Sequence, residues 1–117
     1  DRILHFGSRA CRTIRGNKKR LSEHALGNAI DISGFEWSRA KPDRALPEGG
    51  ERAFTVSVKE HWTAAAGSAA EPHRRFLRAL VERTLDEDIF RGVIGPGREG
   101  HADHLHFDVA PWDYELF

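Results

Sequence analysis

Hydrophobic and polar positions alternate in several short stretches of the chain and recur at helical spacing in one. In residues 29–33, Ile30 and Ile32 fall on one side and Ala29, Asp31 and Ser33 on the other, the period of a half-buried strand. Phe54, Val56 and Val58 alternate with Thr55 and Ser57 in a second predicted strand over 53–58. A third, over 89–94, runs into the sharp turn Gly95-Pro96-Gly97. The last, over 104–109, puts Leu105, Phe107 and Val109 on one face and His104, His106 and Asp108 on the other. Residues 3–14 carry a weaker strand signal, with Arg12 and Arg15 as its notable charges.

Over 71–85 the apolar residues Phe76, Leu77, Leu80, Val81 and Leu85 form one stripe, with arginines and Glu82 facing water, so this segment is the clearest helix. It starts either from a capping box of Ser68 and Glu71 or with Pro72 as its first residue. Residues 22–27 read as a loop or short helical turn capped by Ser22, and 16–20 as a polar turn with a basic tip. Residues 36–52 hold Pro42, Pro47, Gly49 and Gly50 among many charges, and read as a long loop that is either a cleft border or partly disordered. The order predicts an α+β fold, a small antiparallel sheet with packed helices, in a single domain spanning residues 1–117.

Composition narrows the function classes. Hydrophobic residues make up 39% and charged residues 31%, as in a globular protein that keeps its charges in water. The 18 basic and 18 acidic residues cancel, so no net field draws the chain to nucleic acid, and no apolar run reaches the roughly 18 residues of a membrane span. The chain begins at Asp1 with neither an initiator Met nor a signal-peptide pattern, as expected of a processed or trimmed domain. Cys11 is the single cysteine and cannot form an internal disulfide, which by itself favours a reducing compartment. Oligomeric state is left open, since no stretch stands out as an interface.

The chemistry concentrates in two stretches. Ser22-Glu23-His24-Ala25-Leu26-Gly27-Asn28-Ala29-Ile30-Asp31 and His101-Ala102-Asp103-His104-Leu105-His106-Phe107-Asp108 offer imidazoles and carboxylates from distant parts of the chain. Pairing the strand over 104–109 with that over 29–33 would bring Asp31 to its histidines on an open face of the sheet. His24 would then enter from the adjoining loop. His24, Asp31 and one of His104 or His106 would supply three ligands of mixed N and O type, leaving the fourth position of a catalytic Zn2+ for water. The other histidine would manage protons or an oxyanion. Asp108 is either a partner that orients a histidine or a strand-end carboxylate. Trp37, Trp62 and Trp112 read as packing before groove lining, and His5, His61 and His73 as surface or packing residues.

The pattern Ser22-x-His24-x-x-Gly27-x-Ala29-x-Asp31 followed by His101-x-Asp103-His104-x-His106 resembles the zinc peptidase superfamily of lysostaphin, D-Ala-D-Ala metallopeptidases and the hedgehog domain. Within it the chain is most similar to the bacterial extensin-like C-terminal domain, through Cys11-Arg12, Ser22 to Ala25, Asn28 to Ile32 and Ile94-Gly95-Pro96-Gly97. The resemblance implies zinc on His24, Asp31 and His106, with His104 as catalytic histidine, His101 as auxiliary polarising group and Arg12 as holder of a substrate carboxylate or carbonyl. It implies a metallopeptidase acting on peptidoglycan peptides in the periplasm or outside the cell. The alternative is a zinc-containing binding module that does not hydrolyse. In the carboxypeptidase branch a Glu base precedes the last His ligand by three residues, where this chain has Asp103, which a regular strand would turn away from His104 and His106. Extensin-like domains resemble exported proteins with paired cysteines, yet the segment around Glu87-Asp88-Ile89, where a partner for Cys11 is expected, holds none.

Overall fold

Nine residues, Ala29–Trp37, form the strand (β4) on which the sheet assembles. In the computed structural model, which describes residues 1–14, 16–38 and 53–117, β4 pairs with three neighbours. Arg15 and residues 39–52 of the long loop lie outside the described residues. Strand β1 (Arg2–Gly7) runs antiparallel to β4, with Leu4 opposite Gly34, His5 opposite Ile32 and Gly7 opposite Asp31. Ser33 is therefore an extra residue on β4 and Phe6 an extra residue on β1, two bulges that shift the side-chain phase. The shift lets Ile32 and then Phe35 and Trp37 all reach the core, and it carries β4 four residues past the predicted end at Ser33.

Strand β2 (Thr13–Ile14) and strand β3 (Asn17–Leu21) form a separate, fully exposed hairpin. The polar turn expected over 16–20 is thus mostly strand. Helix α1 (Glu23–Leu26) is the expected short helical turn. Strand β5 (Phe54–Ser57) pairs with β4, and helix α2 (Val58–His61) begins where a strand was expected to end. Gly34 sits where β4 and β5 come closest: a Cβ there would lie 2.4 Å from the Val56 carbonyl oxygen. Gly34→Ala is expected to lower stability by about 1–3 kcal/mol, the range for overpacking, as read from denaturant midpoints.

Helix α3 (Glu71–Asp86) matches the sequence reading within one residue, with Leu77 and Val81 buried on its apolar stripe. The capping box does not form. Ala70 is the N-cap, the Ser68 hydroxyl donates to Ala65 O, and the Glu71 carboxylate accepts from Gly67 N–H. Pro72 falls in the first turn, where its missing N–H costs nothing. Strand β6 (Gly92–Ile94) is shorter than predicted, because the Ile89 and Phe90 N–H groups turn back to Thr84 O and Asp88 adopts φ 54°.

Strand β7 (Leu105–Asp108) lies between β4 and β6, antiparallel to both. Strand β8 (Tyr114–Leu116) joins β6 in parallel, so the sheet, in order β1-β4-β7-β6-β8 with β5 also on β4, is mixed rather than purely antiparallel. The core gathers Ile32, Val56, Val58, Trp62, Leu77, Val81, Val93, Leu105 and Phe107 between sheet and α3. Val109, expected with them, is exposed beyond the end of β7. Trp62 is buried and Trp37 packs against the core, while Trp112 is exposed under the Arg20 guanidinium, 4.2 Å from its ring. His5 is exposed, and His61 accepts the Ser57 N–H, so both fit the packing and surface roles expected of them. Among the described residues no helix is long and apolar enough to cross a membrane.

Candidate metal centre

Register places the first two groups. Asp31 on β4 stands directly opposite His106 on β7, both on the face away from Leu105 and Phe107. His24 arrives from α1. Ser22 caps that turn, its hydroxyl accepting from His24 N–H at 3.3 Å. Gly27 ends it at φ 77°, a left-handed conformation that costs glycine little, and directs the chain into β4. His24 Nε2, His106 Nδ1 and Asp31 Oδ1 lie 3.0 Å from one another in all three pairs. His24 and His106 are 2% and 7% exposed, so the face is covered rather than open as the alternation suggested.

The outward nitrogens decide what the inward ones can do. His24 Nδ1 lies 3.3 Å from the Ser8 carbonyl, which only accepts, and His106 Nε2 lies 3.0 Å from Asp108 Oδ2. With both outer nitrogens donating, two imidazole lone pairs and a carboxylate oxygen face one point. Three acceptors in mutual contact repel unless a proton or a metal cation lies among them. Ligands about 2.0–2.1 Å from a tetrahedral zinc stand roughly 3.4 Å apart, so a small outward movement of each group would seat the ion. The residues fit a zinc ion on chemistry and spacing alike, and the outer partners fix ring orientation as such partners do at metal sites.

Asp108 is fully buried. It accepts from His106 Nε2–H, from Ala110 N–H at 3.0 Å and from the Tyr114 hydroxyl. Of the two roles open to it in the sequence, it takes the histidine-orienting one. Burial pushes its carboxyl up, but the bonds from His106, Tyr114 and Ala110 outweigh that and hold it below the usual carboxylate range. Burial and the bond to Asp108 push the Tyr114 hydroxyl up. Tyr114 and the Ser8 carbonyl were not singled out from sequence. Both act through short, non-local contacts that leave no periodic signal.

Beside the three inward atoms stands His104. Its Nδ1 is 2.9 Å from Asp103 Oδ1 and its Nε2 is 3.7 Å from Asp31 Oδ1, beyond the spacing of the other two histidines. Asp103 precedes β7 in a turn, so the strand geometry that would have turned it away does not apply. With Asp103 accepting the Nδ1 proton, the Nε2 lone pair faces the site. The His101 ring is 4.9 Å from that of His104 and 6.1 Å from that of His106, half-buried, with Nδ1 near Glu99 O. Burial holds His101 below the usual histidine range. Arg12 is exposed, and its carbonyl accepts the Ser22 N–H, tying the residue before β2 to the N-cap of the turn that carries His24.

A model of the extensin-like protein C-terminus matches residues 1–115. The chain belongs to this extensin-like family. Comparison with the curated proteins and with the solved structures finds no match.

In the extensin-like domain without metal, burial pulls His106 down, but its bonds to Asp108 and Asp31 overcome this and raise it to about 9. Burial raises Asp31, and the bond from His106 with the nearby imidazoles brings it below its ordinary value. A group raised on folding adds stability that is full below its unfolded value of about 6.5 and is lost as pH climbs through the folded value. The metal-free domain is therefore expected to lose stability between about pH 6.5 and 9, as measured by denaturation at fixed ionic strength. A cation must displace the His106 Nδ1 proton, so zinc affinity is expected to rise about tenfold per pH unit over the same window. Affinity independent of pH would contradict that assignment.

Proposed function

We propose that this domain is a zinc-dependent amidohydrolase that cleaves peptide bonds in bacterial peptidoglycan stem peptides or their cross-links. The single observation that carries this reading is the meeting of His24 Nε2, Asp31 Oδ1 and His106 Nδ1 at 3.0 Å with an additional histidine, His104, just outside the triangle. Zinc held by these three groups would supply a Lewis acid and lower the pKa of water toward about 7. His104, its Nδ1 proton committed to Asp103, takes and returns a proton at Nε2. His101, whose Nδ1–H is held by the Glu99 carbonyl, donates from Nε2 toward the oxygen that gains charge when the ring is protonated. Arg12 meets a substrate carboxylate or carbonyl at the exposed edge. Such substrates lie outside the cytoplasm, so the domain works in the periplasm or beyond it.

One observation favours a second reading. Asp103, which occupies the position of the carboxypeptidase Glu, is engaged with His104 Nδ1 instead of standing free as a carboxylate base. On that reading the domain keeps zinc and binds wall peptides or a protein without cutting. Purified muropeptides incubated with the domain, with and without chelator, separate the two by mass spectrometry. Chelator-sensitive products support the hydrolase, and zinc-loaded protein that retains uncut muropeptide supports the binding module.

A further inference from the structure

A net charge of zero conceals a segregation along the chain. Residues 2–22 hold seven of the 18 basic residues and none of the 18 acidic ones. Four of the seven, Arg12, Lys18, Lys19 and Arg20, lie on or beside the β2–β3 hairpin and are exposed. The ion pairs of the described arginines fall elsewhere, at Arg2–Glu36, Arg74–Glu71, Arg83–Glu87 and Arg91–Asp113. Among the described residues, these four cations therefore meet no carboxylate. Apolar side chains share their surface. Ile14 and Leu21, one on each strand, are 37% and 53% exposed, and Trp112, 44% exposed, lies under the Arg20 guanidinium. The hairpin buries none of its residues, although two strands on their own are only marginally stable and three successive cations on β3 repel one another. Packing gives no reason for that combination. The boundary of an anionic bilayer does: cations meet headgroup phosphates, aliphatic tips enter the acyl boundary, and an indole sits at the level between them.

We propose that the β2–β3 hairpin, together with Trp112, docks this domain on a membrane surface rich in anionic lipid. The hairpin ends at Leu21 and leads through Ser22 into the turn that carries His24, so docking brings the metal centre to the bilayer surface. The proposal holds whether that centre hydrolyses a peptide or only binds one.

The test is cosedimentation of the domain with vesicles of phosphatidylcholine alone and of phosphatidylcholine mixed equally with phosphatidylglycerol. The wild type is expected to bind the mixed vesicles, to leave phosphatidylcholine in solution, and to be released as salt is raised. A variant carrying Lys18→Gln and Lys19→Gln should bind the mixed vesicles about 25-fold more weakly, at about fivefold per cation. Leu21→Ser and Trp112→Ala should each weaken binding without changing its salt dependence. All four residues are exposed, so the circular dichroism of the variants should match the wild type. A wild type that ignores both vesicles, or binds both equally, overturns the proposal, as does unchanged affinity in the lysine variant. Loss in the lysine variant with wild-type binding in both Leu21→Ser and Trp112→Ala also overturns it, and assigns the hairpin to a soluble polyanion instead.

Discussion

Replacing His104 with alanine is expected to leave one zinc per chain and lower turnover by about 10²–10⁴-fold, the range for one acid–base group. The division of labour follows from distance. His24 and His106 each bring a nitrogen to 3.0 Å from Asp31 Oδ1, whereas His104 Nε2 stands at 3.7 Å, adjacent to that cluster but outside it. Its Nδ1 proton is held by Asp103 at 2.9 Å, which fixes the tautomer that presents a lone pair to the site. Asp103→Asn keeps the size of that partner but removes its charge, so a smaller loss of turnover is expected. Zinc retained with unchanged turnover in His104→Ala would take this histidine out of the mechanism. Zinc lost in that variant would make it a ligand instead.

Asp108→Ala should have the largest effect on the scaffold of the site. The carboxylate is fully buried and serves three donors, His106 Nε2–H, the Tyr114 hydroxyl and Ala110 N–H. Its removal strands those donors in a dry environment and releases the His106 ring. Breaking a buried charged pair costs about 3–5 kcal/mol, and loss of a partner to a metal-bound histidine weakens metal affinity about 10–100-fold. Denaturant titration of the metal-free variant reads the first effect and competition with a zinc chelator the second. Tyr114→Phe removes one donor only and is expected to cost less on both counts. Wild-type zinc affinity in Asp108→Ala would show that His106 needs no outer partner.

Much of this site was legible in the chain because its logic is local. Two-residue alternation put His104, His106 and Asp108 on one face and Leu105 and Phe107 on the other, and the pairing of β4 with β7 brings Asp31 opposite His106. Ser22 and Gly27 marked the short turn that delivers His24. The hidden parts depend on non-local geometry. The Ser33 bulge shifts the apolar phase between Ile32 and Phe35, so period-two reading stopped four residues early. The β2–β3 hairpin is wholly exposed and has no apolar face to announce it. β8 is three residues long and pairs with β6 in parallel, so neither its place in the sheet nor the reach of Tyr114 to Asp108 has a periodic signature.

Convergence of His24, Asp31 and His106 on one divalent ion is tested most directly by elemental analysis of wild type and Asp31→Ala purified side by side without added metal. One zinc per wild-type chain and none in the variant is the expected result. Folded wild-type protein that carries no zinc, and takes up none when it is supplied, would contradict it.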